Sequence, residues 1–199
     1  LTTRRETIKV AGGKDVHITV RSTGPGPLVT DAMDSFTEIA DTDSHAEGAP
    51  QNGYQLSLQW TALTPGTTPS AIFALNAATN WDQFRDAARL FTVPSQNLIY
   101  ADTEGNIGYQ MPGQVPIRAS GDGTVPAAGW TSAHDWTGFV PFDKLPSEFN
   151  PAKGFIATAN NAIVGPQYAL MLTKDWDAGY RANEITARLA EAVADGTKL

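Results

Sequence analysis

Among side chains able to do chemistry, cysteine is missing altogether from this 199-residue chain, which excludes disulfides, thiolate metal sites and a cysteine nucleophile together. The three histidines, His17, His45 and His134, are scattered. Asn160 opens an Asn160-Asn161 pair at the end of the apolar run GFIATAN (154–160). The commoner use of such a pair is to cap a strand end or turn the chain. Arg181 stands in the first turn of a C-terminal amphipathic pattern, where a cation opposes the helix macrodipole. A pairing with Asp177 or Glu184 accounts for it without function, but the locally unfavourable position favours a functional use. Trp60, Trp81, Trp130, Trp136 and Trp176 could form a sugar-stacking set. Tryptophans spread through folding motifs are more often core, and the core reading wins.

Those residues must be held by a folded scaffold, and a hydrophobic content of 41% can supply its core. With 14 basic against 21 acidic residues and a net charge of −7, the chain is not built to bind phosphate by counterion release, so nucleic acid is not expected as a partner. No run of about 18 apolar residues occurs, so no membrane span is expected, and any export signal would lie upstream of Leu1.

ETIKV (6–10) and DVHITVR (15–21) flank a glycine turn and predict a β-hairpin. The acidic stretch 32–50 has no Lys or Arg and reads as an exposed loop. Alternation of Tyr54, Leu56, Leu58 and Trp60 with polar residues predicts a strand. Asn80-Trp81-Asp82-Gln83 resembles a capping box, and Trp81, Phe84, Ala88 and Phe91 continue at helical spacing, so 80–92 is the firmest helix. QNLIYAD and NIGYQM around Thr103-Glu104-Gly105 predict a second hairpin over 96–111. Residues 112–152, with six prolines and five glycines, are too broken for long elements and should pack their aromatics on a neighbouring sheet. GFIATAN predicts a short strand, and Ile185, Leu189 and Val193 with a Glu184/Arg188 pair predict an amphipathic helix from 181.

At YADTEGNIGYQMPGQVPIR (100–118), GDGTVPAAGW (121–130), DWTGFVPFDKLP (135–146) and NPAKGFIATANN (150–161), the sequence is similar to the penicillin acylase family. The similarity extends to LQWTAL (58–63), LNAATNWDQF (75–84), QNLIYAD (96–102) and YRANEI (180–185), with order and spacing kept. The resemblance implies an α+β fold: part of an N-terminal-nucleophile hydrolase αββα sandwich of antiparallel sheets. On this view 1–52 is a small β-rich module with its acidic loop, and 53–199 belongs to the hydrolase core. It also implies a precursor that cuts itself into small and large subunits, exposing a serine at the start of the large one. That serine would lie roughly a hundred residues before Leu1, which is therefore not the nucleophile.

In such an enzyme the free α-amine of the terminal serine serves as base for its own hydroxyl, so no histidine is required. Asn160 matches the family's side-chain oxyanion donor and Arg181 its active-site arginine, a planar fork suited to positioning. Gln96 falls where the family lines the acyl pocket, and its amide differs from the apolar wall of phenylacetyl-selective relatives. Asn97 is read as making an internal hydrogen bond. No cofactor is expected. The family often binds a structural calcium, but YALML (168–172) offers no carboxylate at the matching place, so no metal is expected in this chain.

The resulting expectation is an amide hydrolase acting on a small-molecule acyl amide of the β-lactam, N-acyl homoserine lactone or lipopeptide kind. Its partners are the small subunit and the rest of the large one, and its location is periplasmic or secreted. The competing reading is a noncatalytic secreted glycan- or ligand-binding β module, which needs two or more tryptophans exposed side by side on one groove. A third combines them: this chain folds, catalyses nothing alone and self-associates through uncovered sheet edges.

Overall fold

A computed structural model of the chain describes residues 1–42 and 54–196. It has two compact units, Leu1–Leu63 with Val125–Asp135, and Thr64–Thr124 with Trp136–Leu199.

The first unit opens on the expected hairpin, longer than predicted: β1 (Thr2–Ile8) pairs antiparallel with β2 (Val16–Ser22), with Thr2 opposite Ser22 and Ile8 opposite Val16. Within the stretch read as an acidic loop lies a helix, α1 (Asp34–Thr42). Asp34 sits favourably in its first turn, and Ala40 is buried. The charge pattern was legible; the helical spacing of the few apolar residues was outweighed by it. The remainder of that stretch, 43–50, lies outside the described residues.

The strand expected at Tyr54–Trp60 is not formed. The segment is extended but has only an isolated bridge, Leu28 to Ser57, with Val29 N donating to Leu56 O and Leu58 N to Pro27 O, both at 2.9 Å. Pro27 has no N–H to continue the ladder, and Trp60 is half exposed rather than core.

In the second unit, α2 (Thr68–Ala77) precedes α3 (Trp81–Arg89). The α3 cap is built as the sequence predicts. Asn80 Oδ1 accepts from Gln83 N at 2.9 Å, and Gln83 Oε1 accepts from Thr79 N at 2.9 Å. The helix ends three residues short of the predicted limit, as Thr92-Val93-Pro94 turns the backbone away. The second hairpin is present as β3 (Leu98–Ala101) and β4 (Ile107–Gln110), and β7 (Ser147–Phe149) adds to β4, all antiparallel. Between them β5 (Pro116–Arg118) pairs with β6 (Trp136–Phe139). Of the aromatics in this broken region, Phe142 packs against the core as expected and Phe149 stacks on Trp81 at 5.0 Å, but Phe149, Phe139 and Trp130 stay exposed.

That core is Tyr109, Met111, Val115, Val140 and Leu145, with Ile156, Ile163 and Leu172 packed against it. Fully buried Gln110 beside it is satisfied: its Nε2 donates to Met111 O at 3.0 Å and its Oε1 accepts from Arg85 Nε at 3.1 Å.

GFIATAN is not a strand. Phe155 and Ala159 are buried, but the run pairs with no strand among the described residues. A short apolar run signals burial, not a ladder partner. The last helix, α4 (Tyr180–Ala194), forms with the Glu184/Arg188 pair at 2.6 Å.

The turn joining β3 to β4 is organised by Asp102. Its carboxylate accepts from Asn106 Nδ2 (2.9 Å), Tyr100 Oη (2.7 Å), and the backbone N–H groups of Asn106 (2.9 Å) and Glu104 (3.0 Å). These donors, the Asn106 side chain foremost, hold Asp102 at about 2, below its usual 3.8. Because the folded value is the lower one, this stabilisation is complete above about pH 4 and fades as pH falls toward 2. Asp102→Asn should therefore lower stability at neutral pH and flatten its decline between pH 4 and 2 in thermal melts. An unchanged acid limb would show that the turn does not depend on that charge.

Candidate active site

Asn160 closes the apolar run with φ of +61°, a left-handed conformation that asparagine tolerates better than most residues. Ala159, buried just before it, anchors the turn. The backbone is fixed further by Asp177 N, which donates to Asn160 O at 2.9 Å.

Arg181 comes from the first turn of α4, and Gly179, at φ of +87°, sets the helix entry. The guanidinium Nη2 lies 2.9 Å from Ala159 O, 2.9 Å from Asn160 Oδ1 and 3.2 Å from Asp177 Oδ2. Asp177 is held below the usual carboxylate range, first by the Gly179 N–H and then by Arg181. The acid offsets the cation's unfavourable place at the helix start. Arg181 therefore pairs with Asp177, not Glu184, and also donates to Asn160 Oδ1.

That grip fixes the amide. A guanidinium only donates, so the end of Asn160 facing Arg181 must be the oxygen, and the Nδ2 group is the end left for another acceptor.

Asn160 lines a cleft of about 330 Å3, and Gln96 lines the same cleft. Ser95 and Asn97 come from the approach to β3, Gln114 and Val115 from the β4–β5 connection, and Trp176 from the approach to α4. Asn97 makes the internal bond expected of it, accepting from Tyr109 Oη at 2.6 Å. Burial pushes the Tyr109 phenol up, so it stays a neutral donor. The wall mixes amides with Met111, Val115, Ile163 and Leu172, suiting a ligand with an apolar body and a polar carbonyl.

Sequence reasoning named Gln96, Asn160 and Arg181, and the structure brings Asn160 against Arg181 and onto one cleft with Gln96. It did not name Trp176, read as core, or Met111, which carries no motif. For a calcium, residues 168–172 present Tyr, Ala, Leu, Met and Leu, and among the described residues no cluster of acids or histidines could hold an ion. Three of the five tryptophan rings meet other aromatics: Trp81 meets Phe84, Tyr100 and Phe149, Trp130 meets Tyr54, and Trp136 meets Phe139. Nothing in that arrangement favours a glycan-stacking groove.

Comparison with known proteins agrees with the resemblance seen in the motifs. The model of the penicillin amidase family matches residues 1–199. An acyl-homoserine lactone acylase of Pseudomonas fluorescens is 31% identical over all of this chain, and a penicillin acylase 2 proenzyme of a Pseudomonas species is 31% identical over 96% of it. Penicillin G acylase of Escherichia coli is 33% identical over 80% of the chain. The chain spans only 23%, 23% and 17% of those three proteins, respectively. The solved structure of a thermostable penicillin G acylase from Alcaligenes faecalis superposes with a TM-score of 0.69 at 28% identity, over 96% of this chain and 31% of that one. With mixed helices and antiparallel sheets in common and the family match running from end to end, this chain belongs to the penicillin amidase family.

Proposed function

We propose that the protein carrying this chain hydrolyses linear amides by acyl transfer to a serine outside these 199 residues and then to water. The serine hydroxyl adds to the amide carbonyl, passing its proton by way of the terminal α-amine to the departing amine. Water then attacks the acyl ester and releases the acid. Asn160 Nδ2 donates to the oxyanion in both steps, Arg181 holds the amide in that orientation, and Gln96 lines the acyl side. The observation that supports this most is the 2.9 Å bond from Arg181 Nη2 to Asn160 Oδ1, because it leaves the donor end of the amide for the reaction.

Two further parts of the reading follow from family membership. The proenzyme name of one relative supports self-processing here, with a small subunit and further large-subunit sequence as partners. Exposed Ile72 and Phe73 on α2 give those segments an apolar face to cover. No helix among the described residues is long and apolar enough to cross a membrane, and we place the enzyme in the periplasm or outside the cell by family membership alone.

The test is to mix full-length protein with phenylacetyl and long-chain acyl amides, quench, and weigh the intact protein. A gain equal to one acyl group, with release of amine, is expected. The 199-residue chain alone is expected to show neither, and turnover by that chain would mean the nucleophile lies within it.

A further inference from the structure

One side of the candidate cleft is built on hydrogen-bonded backbone. Gln114 N donates to Thr92 O at 2.8 Å, Val140 N to Val115 O at 2.9 Å, and Met111 N to Pro146 O at 2.9 Å. The other side is built differently. Over 161–179 the chain forms neither helix nor strand, yet this strap supplies Ile163, Leu172, Thr173 and Trp176 to the cleft. A segment of that length without regular structure is more often functional than a plain connector.

The strap is fastened at three places. Tyr168 Oη donates to Lys144 O at 2.6 Å, and Leu170 and Leu172 pack against the core. At the far end Asp177 N donates to Asn160 O at 2.9 Å. Between these anchors lie residues 173–176, which bring Thr173 and Trp176 to the cleft. Among the described residues, one polar contact ties 173–176 to the chain outside the strap: Lys174 Nζ donates to Asp122 Oδ2 at 2.5 Å. Asp122 is itself held, because its Oδ1 accepts from Thr124 Oγ1 at 2.6 Å and from Thr124 N at 3.0 Å. One carboxylate oxygen thus serves the 122–124 turn and the other serves the strap. Lys174 first, and Thr124 after it, keep the Asp122 carboxyl well below the usual carboxylate range.

Two other charged groups flank the pair. Asp175 is exposed, and its N–H donates to Thr173 Oγ1 at 3.0 Å within the strap. Arg118 lies against Gly123, where a Cβ would come 2.6 Å from its Nη2. Asp175 is therefore the rival acid for Lys174, and Arg118 the rival base for Asp122.

We propose that Lys174 and Asp122 form a specificity latch: by fixing Thr173 and Trp176 they set the girth of the acyl group that the cleft admits. This rests on the amide-hydrolase reading and adds to it what limits the acyl side. Neither residue lines the candidate cleft, so both act as positioning residues. Without the latch the wall can withdraw, which penalises slim groups that rely on touching it more than bulky groups that press on it. The lysine is largely exposed, so losing the pair costs little global stability, and the selectivity it can transmit is limited to its own modest worth.

The experiment uses processed full-length protein and two para-nitroanilides that share one amine, those of phenylacetic acid and of para-tert-butylphenylacetic acid. Both kcat and KM are measured for wild type, Lys174→Met, Lys174→Arg, Asp122→Asn and the double variant Lys174→Met with Asp122→Asn. The ratio of kcat/KM, bulky over slim, should rise about three- to fivefold in Lys174→Met and in Asp122→Asn, the most that an exposed pair transmits. The change should fall on KM and spare kcat for the phenylacetyl anilide, since the latch touches no reacting atom. The double variant should match either single change, because two residues acting as one latch can be lost only once and Asp175 and Arg118 do not replace them. Lys174→Arg should stay near wild type. Should the variants fail to fold, wild type in about 1 M NaCl must shift in the same direction, because salt weakens an exposed pair. An unmoved ratio, additive effects of the two single changes, or a loss confined to kcat would overturn the proposal. Where no anilide is hydrolysed, calorimetry gives the ratio of their dissociation constants. A ratio that depends on Lys174 would then uphold the latch and overturn the hydrolase reading instead.

Discussion

Asn160→Ala in the full-length enzyme is expected to lower turnover by about a hundredfold or more, since one lost oxyanion donor costs about 3–4 kcal/mol of transition-state stabilisation. The loss should fall on kcat and much less on KM, because charge gathers on the carbonyl oxygen only as the tetrahedral intermediate forms. Asn160 is exposed, so removing its amide opens no cavity. Its φ of +61° complicates an alanine, which is strained in that region by about 1 kcal/mol. Asn160→Gly separates the two effects, because glycine accepts the backbone and also lacks the amide. Both variants should lose the same turnover, while the glycine variant melts closer to wild type. Where precursor cleavage uses the same amide, both would accumulate uncut, so gels must precede kinetics. A processed variant of either kind with near-normal turnover would remove Asn160 from the reaction.

How much of this was legible depended on how local each signal was. The α3 cap, the two hairpins and the Glu184/Arg188 pair are set by residues within a few positions of one another, and each formed as read. In α2 the segment TPSAIFALNA is apolar on every side and has no stripe to betray a helix, so it went unread. Residues 54–60 and 154–160 carry the composition of strands, but strand formation is decided by a partner elsewhere in the chain, and periodicity is silent about that. The candidate site divides the same way. Asn160, Arg181 and Gln96 could be named only through the family motifs, since alone they look like a turn, a helix-start cation and a surface amide. Asp177 surfaced only as a rival partner for Arg181.

The fit of α3 against its sheet gives the largest expected effect on stability. Trp81 is stacked on Phe84 at 5.4 Å and on Phe149 at 5.0 Å, with Tyr100 tilted against it at 5.5 Å. Beneath the indole is Gly108 in β4, flanked in register by Tyr100 and Phe149. A Cβ on Gly108 would come 2.4 Å from Trp81 Cζ3 and 2.9 Å from Cη2. The indole is rigid and in contact with three other rings, while Gly108 is pinned by its two neighbouring strands, so neither side can give way cheaply. Trp81→Ala should cost about 3 kcal/mol, the lower end for a truncated aromatic because the side chain is only partly buried. Gly108→Ala should cost about 1–3 kcal/mol by overpacking. The two costs should not add: with the indole gone, the new methyl occupies the space it leaves, and the double variant should be little worse than Trp81→Ala alone. Urea denaturation of the four proteins measures this coupling. Strict additivity would mean that Gly108 is there for its backbone freedom and not for the ring it admits.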